Sequence, residues 1–180
     1  MTIHTQPWMA LFISGSLFIS SAWGVPVSQG GGTVVMNGQI IDTACTIEVG
    51  SREQVIDLGV LPVGVIRQHG QGPMRPVVIQ LVNCNLVKDS DPTQTWQALR
   101  VTFDGASDGG LFQVFGEARG VGVLLQDDAD RQVFPGKALA EQTLIPPSMR
   151  LHYQLRLVTD NRPLRAGHYQ SAIRFKVDYE

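Results

Sequence analysis

Two cysteines, four histidines and a cluster of three aspartates are the side chains whose types could do chemistry in this sequence. The cysteines, Cys45 and Cys84, have no second Cys or His at ligand spacing, so a metal site is a poor reading. His4 lies in the first residues, and His69 sits in "RQHGQG", which reads as a loop. His152 falls on the polar side of an alternating run, and His168 follows Gly167 at a strand start. Each reads as a surface or turn histidine. Asp127, Asp128 and Asp130 hint at calcium, but the run lacks the glycine and the closing glutamate of a calcium loop. It reads as a solvated turn. No G-x-S-x-G nucleophile elbow is read in the sequence. No catalytic, cofactor or metal residue is therefore assigned, and the chain is not expected to be an enzyme.

That leaves the cysteines with a structural role, which depends on compartment. Met9–Trp23, "MALFISGSLFISSAW", is an apolar and small-residue run of 15 residues. A membrane span needs about 20. Ala22-Trp23-Gly24 supplies small residues for cleavage after Gly24, so residues 1–24 read as a secretory signal, although the stretch before it has no Lys or Arg. In an exported protein the two cysteines are expected to pair. The 38 residues between them would make that link contribute about 4 kcal/mol by loop entropy. Two buried free thiols are the other reading.

The elements that must position these residues are strands. The 180 residues carry 19 glycines and 10 prolines, with short alternating runs between them. "VVMNGQII" (34–41), "QVIDLGVL" (54–61), "PVVIQLVNC" (76–84) and "ALRVTFDG" (98–105) each read as a strand. "GVGVLLQ" and "RQVFPG" flank "DDAD" as a hairpin, and "MRLHYQLRLV" (149–158) alternates Met149, Leu151, Tyr153, Leu155 and Leu157 inward. No stretch requires a helix. Hydrophobic content of 43% supports a core, and 14 basic against 16 acidic residues form no basic face, which excludes a nucleic-acid binder. Such a set of strands implies an antiparallel β-sandwich of Ig-like type.

The chain ends on "AIRFKVDYE", which turns Ile173, Phe175, Val177 and Tyr179 to one side. No strand follows this one to cover its edge. An uncovered edge presents unpaired N–H and C=O groups.

Four features in this order resemble a chaperone–usher pilus subunit of the type 1 and P pilus family. They are "GGTVVMNGQIIDTACTI" (31–47), "IQLVNCNL" (79–86), Gly167 as the fourteenth residue from the end, and Tyr179 as the penultimate one. The resemblance implies an Ig-like sandwich lacking its last strand, with an N-terminal donor-strand extension at 25–35 and the pilin domain at 36–180. It implies a groove that a periplasmic chaperone fills first and a neighbouring pilin fills at the outer-membrane usher, on the way to a fimbrium on the cell surface. The groove residues carried over are Gly167, Tyr169, Ile173, Phe175, Val177, Tyr179 and Glu180, whose carboxylate would meet basic residues of the chaperone. The donor residues are Val25, Val27, Gln29, Gly31 and Thr33. Ser171 and Gln29 are polar where the family's rows favour apolar residues. A structural or minor pilin supporting adhesion is the expected role, with a pilus terminator as an alternative. The alternative of another class is a stand-alone secreted β-sandwich binding module. Trp96 is the one tryptophan beyond the leader, which argues against an aromatic binding platform.

Overall fold

The computed structural model describes residues 33–180. The leader at 1–24 and the donor residues Val25, Val27, Gln29 and Gly31 lie outside the described residues. The chain divides into two units, Met1–Gln39 and Ile40–Glu180. In the first, residues 33–39 are exposed and form no strand, and the expected strand over 34–41 is absent through Ile41 as well. Alternation alone does not make a strand, because its backbone groups need a ladder partner.

The second unit holds all the regular structure. Its elements in order are β1 (Thr46–Ile47), α1 (Val49–Arg52), α2 (Val63–His69), β2 (Arg75–Val82), β3 (Ala98–Asp104), β4 (Ser107–Asp108), β5 (Leu111–Gln113) and β6 (Phe115–Gly116). They continue with β7 (Val121–Asp127), β8 (Gln132–Val133), β9 (Gln142–Thr143), β10 (Met149–Thr159), β11 (Tyr169–Gln170) and β12 (Arg174–Tyr179). One sheet runs β1-β2-β10-β7-β5-β4, with β8 attached to β7. A second runs β12-β3-β9, and β11 pairs with β6. All the pairings are antiparallel.

The period-two pattern explains the layers. In β10, Leu151, Tyr153, Leu155 and Leu157 are buried, while Arg150 and His152 are exposed. In β3, Leu99, Val101 and Phe103 are buried in the same way. The two sets meet where the Phe103 and Tyr153 rings stand edge to face, 4.7 Å apart. Burial in this core pushes the Tyr153 phenol up to about 12. Cys45 and Cys84 form the expected disulfide.

Three expectations need correction. His69 is the last residue of α2, not part of a loop; Gly70 ends that helix in a left-handed conformation and donates its N–H to the Ile66 carbonyl at 2.8 Å. Asp127, at the hairpin between β7 and β8, is 5% exposed, not solvated. Its carboxylate accepts from the N–H groups of Ala129 and Arg131 and from the Arg131 guanidinium. Burial alone would push its carboxyl up, but these bonds outweigh burial and hold it below the usual range. Finally, Gly105-Ala106-Ser107-Asp108-Gly109 has the letters of a nucleophile elbow. Ser107, however, lies in β4 and leads to β5 rather than to a helix.

Candidate functional site: an open strand edge beside an apolar groove

β3 is paired along both edges. On one side it meets β12, from Arg174↔Asp104 to Tyr179↔Leu99. On the other it meets β9, a bridge from Thr102 to Ala138, and the N–H groups of Gly136 and Leu139. β12 has β3 as its one ladder partner. Among the described residues, no backbone hydrogen bond reaches β12 from its outer side. β12 thus keeps one free edge among the described residues.

A groove of about 1150 Å³ opens along that edge. Val123 and Leu125 of β7 and Leu155 and Leu157 of β10 lie at its base, with Phe103 of β3. Ile173 and Phe175 form one wall, and both are half-buried although they are fully apolar. Gln54–Leu61 line the groove as well. This run was expected as a strand, and Ile56, Leu58 and Leu61 do pack on the core. It makes no backbone ladder: Gln54 is held by its side-chain amide, which donates to Ser51 and Val78 carbonyls, and Gly59 N–H bonds the Asp57 carboxylate. The run has the alternation of a strand and, among the described residues, no neighbour to pair with. The groove is therefore bounded by β12 and by residues 54–61, neither of which has a ladder partner on its groove side among the described residues, with an apolar base between them.

Gly167 and Tyr169 belong to the same lining. Gly167 is required by close approach. A Cβ there would lie 2.5 Å from Glu117 Cβ and 2.8 Å from Ala118 N. This contact lets the His168 carbonyl accept from the N–H groups of both Glu117 and Ala118. Facing it, Gly116 has φ +124°, and a Cβ would lie 2.4 Å from the His168 oxygen. The Tyr169 hydroxyl is buried without a partner among the described residues. Burial pushes its ionisation up, and the charge of Asp57 adds to this.

The other carried-over residues sit beyond the groove lining. Val177 packs on the core farther along β12. Tyr179 tilts against Trp96 with ring centroids 6.1 Å apart, and its hydroxyl donates to the Cys45 carbonyl at 3.3 Å. Glu180 is tied down by its backbone, which exchanges hydrogen bonds with Ala98, and by Arg100, which pairs with its side chain at 3.2 Å. Ser171 has a reason to be polar, since its hydroxyl donates to the Gln113 carbonyl at 2.8 Å. Thr33, the one donor residue described, is exposed. Sequence reading missed α2, whose Ile66 lines the groove. Its seven residues are too short to show a clear helical period.

The fimbrial protein family profile matches residues 34–180. The chain belongs to the fimbrial protein family. The PRS and PAP fimbrial minor pilin proteins of Escherichia coli are each 29% identical over 160 residues, covering 88% of this subunit and 82% of each relative. The fold of the subunit is similar to that of the P pilus rod subunit PapA, with a TM-score of 0.68 at 20% identity, over 77% of this chain and 100% of that one. The subunit is thus a structural component of a fimbria at the cell surface, where it assembles with neighbouring pilins. This membership sets aside a stand-alone binding module, and the family is one of structural proteins rather than enzymes.

Proposed function

We propose that the groove captures a β-strand from another polypeptide, supplied first by a periplasmic chaperone and then by a neighbouring subunit at the outer-membrane usher. The observation that carries this is the free outer edge of β12 beside an apolar groove. A strand laid there gains main-chain hydrogen bonds and buries alternate side chains, as in β-strand addition. Gly167, Tyr169, Ile173 and Phe175 would line the occupied groove. Val177 and Tyr179 would hold β12 in register from beyond it, and the carboxylate of Glu180 would meet basic residues of the chaperone. On this reading residues 1–24 direct export to the periplasm and are removed. Residues 25–35 then act as the donor for the next subunit, through Val25, Val27, Gln29, Gly31 and Thr33, and 36–180 form the pilin domain.

Head-to-tail capture of this kind is a heterologous interface, which extends into a filament. The likeness to two minor pilins supports a minor subunit. The test is co-expression with candidate periplasmic chaperones, followed by challenge of the purified complex with donor-extension peptides. Release of the chaperone as peptide enters is the expected result. A complex that forms but never exchanges would make the subunit a terminator, and failure of any chaperone to protect the chain from aggregation would overturn the reading.

A further inference from the structure

The charged residues of the groove lining are unbalanced. Arg52, Arg119, Arg165 and Arg174 face Asp57 and Glu117, four positive groups against two negative, so net +2. Arg174 pairs with Asp104 outside the groove. Arg52, Arg119 and Arg165 have no carboxylate within 4.0 Å among the described residues.

Arg119 and Arg165 are, moreover, direct antiparallel bridge partners. Each backbone N–H donates to the other's carbonyl at 3.1 Å. Like charges directly opposite one another in this arrangement are destabilising. Their guanidinium groups bond backbone carbonyls instead of carboxylates. Arg119 donates to Gly116 and Ala118, and Arg165 to Glu117. A guanidinium has five N–H donors in a fork that suits a carboxylate. Most of the ten donors in the pair are left for a ligand.

Resting on the strand-capture reading, we infer that the Arg119–Arg165 pair selects the occupant of the groove. The occupant is an extension of a different subunit that carries an Asp or Glu at the position beside this pair. This subunit's own residues 25–41 contain no acidic residue, so its own extension lacks the group the pair would bind. The groove therefore disfavours a second copy of this chain and favours a heterotypic neighbour, which makes the subunit a junction between different pilins.

The test uses the subunit purified as its complex with a periplasmic chaperone, challenged with fluorescently labelled peptides. One peptide has the sequence of residues 25–35, and the others carry Glu at each position in turn. Binding is read by anisotropy. One or two neighbouring same-face Glu positions are expected to tighten binding about tenfold at low salt. The gain, read as the ratio of Glu peptide to unsubstituted peptide on the same protein, should vanish near about 0.5 M NaCl, where screening is strong, and in the R119Q/R165Q double variant. Glu peptides that bind no better than the unsubstituted one, or a gain that survives in the double variant or at high salt, would overturn the inference and leave strand capture standing. Entry of no peptide at all would also overturn the inference, because no neighbour's extension would then be selected. Should the double variant form no chaperone complex, the salt series on the unaltered subunit decides.

Discussion

The Tyr179 hydroxyl donates a hydrogen bond to the Cys45 carbonyl at 3.3 Å. This joins the penultimate residue of the chain to a residue 134 positions earlier. Cys45 is itself tied to Cys84, which follows β2. The last strand is thus fastened at its C-terminal end to the first strand's approach and, through the disulfide, to the large sheet. Its inner edge is paired with β3 from Arg174 to Tyr179, and among the described residues its outer edge has no ladder partner.

Removing that fastening has a graded cost. Tyr179→Phe keeps the ring on Trp96 and loses the hydrogen bond, so it should lower stability by about 1 kcal/mol. Tyr179→Ala loses the packing as well and should cost about 2–4 kcal/mol. Urea unfolding of the two variants checks the order.

Reduction of Cys45–Cys84 should lower stability by about 4 kcal/mol through the freed loop. The drop should be visible as a lower urea midpoint for the chain unfolded in the presence of reductant. Equal midpoints with and without reductant would count against the tether between Cys45 and the large sheet.

Gly167→Ala and Gly116→Ala should each cost about 1–3 kcal/mol, because the added Cβ meets backbone that has little room to move. Gly109→Ala is the control for a glycine with a positive φ and open space around it. It should cost less than either, as read from thermal melts.

Ile173 and Phe175 are apolar but only half-buried. Phe175→Asp should therefore weaken capture of an apolar strand by about tenfold or more while lowering stability by less than a substitution in the closed core. Peptide anisotropy and thermal melts on the same variant separate the two effects. Comparable losses in both measurements would mean that Phe175 serves the core alone.

Asp127 gives the acid side of the stability profile a definite sign. Its folded carboxyl ionises below its ordinary value, so the unfolded chain binds the proton first as pH falls. The stabilisation is complete above the unfolded value of about 3.9 and is lost as pH drops through the lower folded value. Tyr153, pushed up to about 12, works the other way. Its share is complete below about 10 and declines as pH rises through its folded value. Asp127→Asn should flatten the acid limb below about pH 4 in pH-dependent urea melts and move the alkaline limb slightly to lower pH, because the Asp127 charge adds to burial in raising the Tyr153 phenol.

The sequence by itself determined the sandwich, the disulfide and the unusual ending. The alternation in 149–158, 98–105 and 172–180 records which side chains face inward, and that is a local property with a period of two. It also carried the family resemblance. It could not say whether an alternating run finds a neighbour. Residues 54–61 alternate as well as a strand does, yet they make no ladder, because the strand that would lie between them and β12 is not part of the fold of Ile40–Glu180. Nor could spacing reveal that Arg119 and Arg165, 46 positions apart, stand opposite each other at the groove. Which charges meet, and which strand edge is left open, depends on contacts between distant segments, and only the packed chain decides those.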